Sequence, residues 1–477
     1  MLPNALRLLL LFSLLIAQGS AAQNHPDVVV ITNVNIIDTR QGLSSPNLTV
    51  VIKKGRIDSV AKHAMIAPSQ KTQVINGAGK YLIPGLWDMH AHSAGGPAAP
   101  WDATVILPLY IANGITGIRD MGGNLQLLLQ RKQSIERGEL LGPHMYICGP
   151  FLNGGKPYEY SIITNSPDEG RRAVDKLAAE RVDFIKILSE VPRDTYFAIA
   201  EESKKHKLTF AGHVPESITA TEASDSGQRS IEHLSGLPLA CSRDEFELRQ
   251  QRAAAVQKAD NAAYYAIGMR TLDTYDSEKA RALFAEFKKN ETWQVPTLSW
   301  WRVQSQVDSL FASDPLLKYV PASARRSKEW NLKQIQQSAT PQLVSDLKKA
   351  MTRYIELTRG LHQAGVPIMA GTDSPDPWVF PGFSLHDELE LLVESGFTPG
   401  QALRSATYNP AEFIGKLSDY GMAEKGLVAD LVLLDANPLL DIHNTRRISA
   451  VIVEGRLFLR KDLDKMLVDA ATEAASH

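Results

Sequence analysis

Eight apolar segments, each followed by a helical stretch, constrain the fold of this chain more than any other feature. In order they are YLIPGLWDMHAHS, GITGIRDMGG, HMYICGPFL, FIKILS, LTFAGHV, SIEHL, WQVPTLS and VPIMAGTD. Repeated strand and helix units favour parallel strands with right-handed crossovers, and eight units are the number that closes a (β/α)8 barrel. The sequence therefore predicts an α/β, TIM-like barrel. An open doubly wound sheet is the alternative, but no GxGxxG turn follows an early strand.

The two ends of the chain differ from its middle. Residues 27–60 and 429–457 contain short strands rich in Val and Ile, broken by Asn and Gly turn residues. We expect residues 23–80 plus 420–477 to form one small sheet domain beside a barrel of residues 81–419. The charged segments 242–291 and 301–359 are longer than ordinary crossovers and predict additional helices near the catalytic face of the barrel.

The composition excludes several classes of protein. Of 477 residues, 44% are hydrophobic and 22% charged, which is typical of a globular protein. The formal charge is -2, and no basic run resembles a nucleic-acid patch, so nucleic acid is not an expected partner. Cys148 and Cys241 are too few for a disulfide framework, and the sequence leaves open whether they pair. It also leaves open whether the chain forms a homo-oligomer.

Residues 1–22 resemble a cleavable secretory signal peptide. Arg7 provides the positive charge, Leu8 to Ala17 form a short apolar stretch, and Ser20-Ala21-Ala22 is a small-residue cleavage site. The apolar stretch is shorter than the roughly 20 residues that span a bilayer, so an uncleaved anchor is the weaker interpretation. We expect a periplasmic or secreted protein with no membrane attachment after signal cleavage.

Two histidines follow each other closely at the end of the first predicted strand. Residues two apart in a strand point to the same face, so the imidazoles of His90 and His92 can reach one metal ion. By themselves they are equally well explained as two hydrogen-bonded polar side chains at a strand end.

Lys186 stands inside the apolar segment FIKIL, where a lysine is rarely buried without a partner. An ion pair with an acid of the barrel is one explanation. The other is that burial lowers the pKa of the amine, which then takes up carbon dioxide and becomes a carbamate able to bridge two metal ions.

Three more residues of metal-ligand type end predicted strands: His213, His233 and Asp373. Each alone is more often structural. Together with His90, His92 and Lys186, however, they all fall on the predicted catalytic face of the barrel, and this joint placement predicts a metal site.

Candidate substrate contacts come from two other places. The segment NGGKPYEYS after the third strand contains side chains that could bind a carboxylate or carbonyl oxygen, and the last barrel helix begins with a histidine that could face the pocket. These residues are Lys156, Tyr158, Tyr160 and His386. Surface positions for the first three and a packing role for the histidine are the alternatives.

The ordered motifs PGLWDMHAHS, FIKIL, AGHVPES, SIEHLSG and AGTDS resemble the amidohydrolase superfamily. The resemblance is strongest to its imidazolonepropionase-like and Xaa-Pro-dipeptidase-like branch, which the C-terminal stretch NPAEFIGKLSDYGMAEKGLVADLVLLDANPL also resembles. It covers nearly all of the chain after residue 22. The sequence departs from the dipeptidase-like pattern after Lys186, where SEVPRDTY replaces a more glycine-rich loop.

The resemblance implies a barrel with a β-sandwich built from both chain ends. It also implies two divalent metal ions, usually zinc, with His90, His92 and Asp373 on the more buried ion, His213 and His233 on the other, and carboxylated Lys186 between them. Such a site activates water for attack on a carbonyl carbon, with Asp373 carrying the proton.

The expected function is hydrolysis of amide bonds in small molecules such as dipeptides or N-acyl amino acids. Hydrolysis of lactones, esters or phosphoesters is the first alternative, because activated water attacks any suitably polarised centre. Deamination at a single metal ion fits less well because Lys186 is present. A non-catalytic barrel-fold binding protein is the alternative from another class, although such relatives usually lose metal ligands.

Overall fold

The computed structural model describes residues 28–62, 72–95, 101–157, 159–309 and 313–476, so the predicted signal peptide lies outside the described residues. The strands are Val28–Asp38 (β1), Leu43–Lys53 (β2), Arg56–Ala61 (β3), Thr72–Asn76 (β4), Tyr81–Pro84 (β5), Leu86–Ala91 (β6), Ile115–Asp120 (β7), His144–Ile147 (β8), Phe151–Asn153 (β9), Ser161–Ile163 (β10), Phe184–Ile187 (β11), Thr209–Gly212 (β12), Ser230–Glu232 (β13), Trp293–Val295 (β14), Leu431–Leu434 (β15), Ile448–Val453 (β16) and Arg456–Leu459 (β17). The helices are Ala103–Ala112 (α1), Leu125–Glu136 (α2), Pro167–Ala179 (α3), Arg193–Lys205 (α4), Ala220–Asp225 (α5), Leu237–Ala240 (α6), Glu245–Gln257 (α7), Asn261–Asp273 (α8), Ser277–Lys289 (α9), Leu298–Ser305 (α10), Ala322–Arg325 (α11), Leu332–Ser338 (α12), Pro341–Ala364 (α13), Phe383–Glu394 (α14), Pro399–Ser405 (α15), Tyr408–Phe413 (α16) and Arg460–Ser476 (α17). The structure is thus mixed α/β.

Strands from both ends of the chain share one sheet. Its order is β17-β16-β15-β5-β1-β2-β3, and β4 also pairs with β1. Because side chains alternate across a strand, its two faces bury different sets of residues. Ile31, Ile52 and Leu431 belong to a cluster within this sheet, whereas Val432 and Val451 pack into the large core of the rest of the molecule.

The sequence assigned YLIPGLWDMHAHS to a single barrel strand, but the structure divides it in two. Tyr81–Pro84 pairs with β1 and β15 in the sheet of the chain ends, whereas Leu86–Ala91 pairs in parallel with β7. The division falls at Gly85, whose backbone N–H donates to the carbonyl of Asp430 at 2.8 Å.

Parallel strands form the rest of the β-structure. The orders are β6-β7-β8 and β10-β9-β11-β12-β13-β14, and each neighbouring pair is parallel. The backbone N–H of Asp183, directly before β11, donates to the carbonyl of Ile147 in β8 at 2.8 Å. The two sheets therefore adjoin at β8 and β11.

The eighth predicted segment, VPIMAGTD, is not a regular strand. It makes isolated parallel bridges from Ile368 to β14 and from Ser374 to β6. Backbone N–H groups of Met369 and Met89 donate to Gln294 at 3.0 Å and to Ala370 at 2.9 Å, respectively. Hydrogen bonds therefore connect the last parallel strand, β14, through this segment to the first, β6.

The segments 242–291 and 301–359 contain helices α7–α9 and α11–α13, with α10 leading into the second segment. The longest of these, α13, begins after Thr340, whose side chain caps the backbone N–H of Leu343, and has Pro341 in its first turn. It ends where Gly365 adopts φ 77°, a conformation that favours glycine. Among the described helices, none combines the length and apolar composition that spanning a membrane requires.

Gly85 joins the two kinds of sheet at a point where no larger residue fits. A Cβ added there would lie 2.0 Å from Thr116 Oγ1 and 2.6 Å from its Cγ2. Gly85→Ala should lower the free energy of unfolding by about 1–3 kcal/mol, the usual range for overpacking. Chemical denaturation measures this loss.

The double variant Gly85→Ala/Thr116→Ala should recover part of the loss, since it removes the two nearest of the three clashing atoms and leaves only Cβ of residue 116, at 2.8 Å. Thr116→Ala alone deletes a buried hydroxyl that has no hydrogen-bond partner in the described structure. A Gly85→Ala variant with unchanged stability would contradict the steric argument.

Candidate metal centre

The predicted metal ligands converge on one cavity of about 560 Å³. Each comes from the carboxyl end of a parallel strand, from the residues directly after it, or from the segment that follows α13. The cavity is lined by His90, His92, Lys186, His213, His233 and Asp373.

Asp373 lies among three of the histidines. Its carboxylate oxygens are 3.3 Å from Nε2 of His90, 3.2 Å from Nε2 of His92 and 3.7 Å from Nε2 of His233. One potential ligand atom from each of His90, His233 and Asp373 falls within 4.8 Å of the other two. A carboxylate surrounded by imidazole nitrogens is a ligand set that divalent zinc accepts.

The other ring nitrogen of each histidine is occupied. Nδ1 of His90 lies 2.8 Å from a carboxylate oxygen of Glu232, and Nδ1 of His92 lies 2.8 Å from the carbonyl of Gly122. In the neutral form of each ring, these acceptors favour the proton on Nδ1 and leave the Nε2 lone pair for a metal ion.

The remaining two histidines are held by hydroxyl groups. Nδ1 of His213 is 2.8 Å from Ser189 Oγ, and Nδ1 of His233 is 2.7 Å from Thr297 Oγ1. In all four rings, a hydrogen bond at Nδ1 therefore fixes the orientation before any ligand binds.

Burial keeps the second pair of histidines neutral. It lowers the pKa of His233 to about 3, with the charges of His90 and Lys186 acting in the same direction. Burial, followed by the nearby charge of Lys186, also lowers the pKa of His213 well below its usual value. Both rings are consequently unprotonated at neutral pH, as metal binding requires.

Asp373 stays ionised in the same surroundings. Burial raises the pKa of its carboxyl, but electrostatic interactions with His233 and His90 and hydrogen bonds with His90 and His92 outweigh burial, so the net pKa lies well below the usual value. The centre thus presents to the cavity a carboxylate together with the neutral imidazoles of His213 and His233.

Lys186 is 1% exposed, and burial lowers the pKa of its amine. Within the described ranges its Nζ makes no ion pair or hydrogen bond, which argues against the structural explanation that the sequence left open. The amine instead lines the cavity beside the histidines.

A buried carboxylate behind His90 was not identified from the sequence. Glu232 accepts hydrogen bonds of 2.8 Å from Nη2 of Arg119 on both of its oxygens and one of 2.5 Å from Ser230. Burial raises the pKa of Glu232, but Arg119 and His90 outweigh it and hold the pKa below the usual value. Its position directly before His233 in SIEHL is the one feature of the sequence that could have identified Glu232 as part of the site.

Asp376 is a second residue that the sequence analysis missed. It lines the cavity, follows Asp373 by three positions and accepts a hydrogen bond of 2.7 Å from Trp300 Nε1. Burial and the nearby charge of Asp373 raise the pKa of Asp376 to about 7.

The backbone around the centre is strained. His233, Thr297 and Asp373 have φ values of 57°, 49° and 69°, a region that residues other than glycine rarely adopt. Such residues concentrate at sites where a side chain must be aimed in a particular direction.

The predicted substrate contacts separate into two groups. Lys156 and Tyr160 line the same cavity as the ligands, and Tyr158 lies outside the described residues. His386 lies elsewhere: Nδ1 is 2.9 Å from Thr445 Oγ1 and Nε2 is 3.0 Å from the carbonyl of Asn113. With both nitrogens engaged and the ring buried, His386 has a packing role, the alternative that the sequence left open.

Comparison with known proteins places this geometry in a family. A model of the amidohydrolase family matches residues 317–458. Imidazolonepropionase of Vibrio parahaemolyticus is 22% identical over 459 residues, which cover 90% of this chain and 98% of that protein. These matches confirm the resemblance stated from the sequence: the chain is a hydrolase similar to the amidohydrolase family, whose members generally bind divalent metal ions.

Two further proteins are similar to most of the chain. Ochratoxinase of Aspergillus niger is 22% identical over 438 residues, covering 79% of this chain and 75% of that protein. A solved Xaa-Pro dipeptidase with methionine bound in its active site has a TM-score of 0.66 at 20% identity, covering 91% of this chain and all of that one. The structural likeness shows a shared fold.

Glu232 offers a direct test of the centre. In Glu232→Gln the acceptor shape is kept, but the charge that holds His90 and balances Arg119 is lost. The affinity of the metal-depleted protein for zinc should fall about 10–100-fold, the usual effect of removing such a supporting carboxylate. Competition with a chromophoric chelator measures this affinity.

Glu222→Gln is the matched control, because Glu222 pairs with Arg193 on the partly exposed surface. Its zinc affinity should equal that of the wild type. Equal affinities in the Glu232 and Glu222 variants would show that His90 does not depend on the carboxylate behind it.

Proposed function

We propose that this amidohydrolase cleaves amide bonds of small molecules, such as dipeptides or N-acyl amino acids, at a binuclear centre. The observation that carries the proposal is the convergence on one cavity of four histidines held at Nδ1, an ionised aspartate and a buried lysine that has no ion pair among the described residues. The relative named as a dipeptidase supports the amide bond as the target.

The ligands divide between two divalent ions, with zinc as the proposed metal. His90, His92 and Asp373 would hold one ion, and His213 and His233 would hold the other. The amine of Lys186 would combine with carbon dioxide and release a proton, and the resulting carbamate would supply oxygen ligands to both ions. When bound, divalent ions supply activated water at neutral pH and polarise the carbonyl of the substrate.

Asp373 carries the proton in this proposal. Its carboxylate is ionised and lies at the cavity surface, where it accepts the proton that the attacking water loses. It then gives that proton to the nitrogen of the breaking C–N bond, so the amine leaves as a neutral group. Lys156 and Tyr160, on the wall of the same cavity, contact the substrate carboxylate or carbonyl oxygen.

The proposal extends to the architecture around the site. The parallel strands and the segment after α13 make a (β/α)8 barrel, residues 81–419. Residues 23–80 plus 420–477 make a β-sandwich, with β5 crossing the boundary between the two. Hydrogen bonds from β14 through Met369 and Ala370 to β6 support closure of the barrel.

Export is part of the same proposal and rests on residues 1–22. Their charged start, apolar stretch and Ser20-Ala21-Ala22 site support cleavage and release into the periplasm or the medium. A small-molecule substrate outside the cytoplasm would then meet the enzyme directly.

Lys186→Ala tests the bridge. After reconstitution with zinc and bicarbonate, metal content should fall from two ions per chain toward one, because the shared ligand is gone. Elemental analysis gives the ratio. Lys156→Ala, which removes another lysine from the same cavity, should keep two ions. Two ions in the Lys186 variant would exclude a lysine bridge.

Asp373→Asn tests the proton carrier. Turnover of dipeptides and N-acyl amino acids should fall by a factor of at least about 10³, combining loss of acid–base catalysis with a weakened ligand. Thermal unfolding of the variant should remain cooperative. Turnover within about tenfold of the wild type would exclude the role.

If the wild-type protein hydrolyses only lactones, esters or phosphoesters, one of these bonds is the target and the amide is excluded.

A further inference from the structure

A second cavity, of about 600 Å³, adjoins the metal centre. It shares lining residues with the first cavity, namely Ser189, His213, His233 and Asp373. The centre therefore stands at the junction of two chambers, and a bond cleaved there has one substituent in each.

The second chamber is built by the helices of the two long segments and by α6 and α10. Its wall is rich in aromatic and large apolar side chains, including Tyr264, Tyr265, Met269, Leu272, Trp300, Trp301 and Tyr354. A wall of this composition favours a flat apolar group.

Part of this wall is rigid and reaches the metal ligands. The rings of Trp301 and Tyr354 stack at 3.9 Å, and Trp300 meets Trp301 edge-on at 5.0 Å. Trp300 in turn lies 6.4 Å from the ring of His233. These contacts hold the aromatic rings of the wall in fixed orientations.

The one cation among the residues that line the second chamber is already paired. Arg252 Nη2 lies 2.5 Å from Glu216 Oε1, and Tyr264 donates to the same oxygen at 2.7 Å. The guanidinium also lies 4.4 Å from the ring centroid of Tyr264. The chamber therefore offers no free cation to bind a carboxylate.

The first chamber, which Glu159, Glu190 and Asp376 also line, differs in having a cation that is free to bind a carboxylate. Lys156 lines it and has no ion-pair partner among the residues that the structure describes. In dipeptides and N-acyl amino acids the carboxylate belongs to the amine half of the molecule. If that half faces Lys156, the acyl half enters the aromatic chamber.

We propose that the second chamber is the acyl subsite and that it selects substrates with an aromatic acyl group, that is, N-aroyl amino acids. This rests on the amide hydrolysis proposed above and adds the substrate class. The aromatic wall supplies the apolar contacts that favour a flat acyl group.

Substrates that share one leaving group test the preference. N-acetylglycine, N-benzoylglycine and N-(2-naphthoyl)glycine release the same glycine and differ only in the acyl half. The two aromatic substrates should have kcat/KM at least about tenfold above that of the acetyl compound, since even small changes of apolar fit alter kcat/KM by this factor.

Gly268→Leu fills the chamber. Gly268 lines it from α8, and a Cβ built there meets no described heavy atom within 4 Å. The ratio of kcat/KM for the naphthoyl and acetyl substrates should fall at least about tenfold. Ala266→Leu adds similar bulk at an exposed position of the same helix and should leave the ratio unchanged. Leu347→Trp fills the chamber from α13 if Gly268→Leu does not fold.

Binding of 2-naphthamide, an uncharged aroyl probe, separates this proposal from the amide hydrolysis on which it rests. Calorimetric titration should show binding to the wild type that Gly268→Leu weakens and Ala266→Leu does not. That result without turnover of any amide would overturn the proposed function and keep the aromatic chamber. Turnover of all three glycine compounds at similar rates, with equal ratios in both variants, would overturn the chamber and keep the function. Neither turnover nor binding would overturn both.

Discussion

The candidate centre depends on a charge network beneath it. Arg119 of β7 donates to the carbonyl of Met89 in β6 at 2.6 Å and to Glu232 of β13, and Glu232 holds Nδ1 of His90. One guanidinium therefore connects three strands. Its carbon lies 5.1 Å from the ring of Phe413 and 5.6 Å from that of Phe184, so the charge is enclosed and Coulomb interactions are weakly screened. A buried charge without its partner is costly, and this fixes the relative positions of the strands as well as the histidine.

The sequence identified the candidate ligands because each stands where an apolar strand ends, a local pattern. His90, Lys186 and Asp373 could be assigned from their own segments, and the structure places them on one cavity. Glu232 could not be assigned, because its role exists only when β7 and β13 meet. The sequence also did not show that the segment YLIPGLWDMHAHS is divided into two strands at Gly85. Nothing in a continuous apolar segment indicates that its two halves pair with different sheets.

The helices of segments 242–291 and 301–359 also show that contacts between distant residues could not be predicted from the sequence. Their composition predicted helices near the catalytic face, and the structure places α8, α10 and α13 around a chamber beside the ligands. The composition could not show that Trp301 and Tyr354, 53 positions apart in the sequence, stack on each other. Packing between helices therefore determines the shape of the pocket, whereas strand ends determine its chemistry.

The sheet of the chain ends has a consequence for the order of folding. Strand β5 pairs on one side with β1, which is made early, and on the other with β15, which is made only after the whole central region. Until residues 431–459 have been synthesised, one edge of β5 stays open and apolar. Such late, long-range pairing is slow and leaves the partly made chain prone to association. A truncated chain that ends before β15 would therefore retain every metal ligand in its sequence and still lack the strand that completes its first sheet.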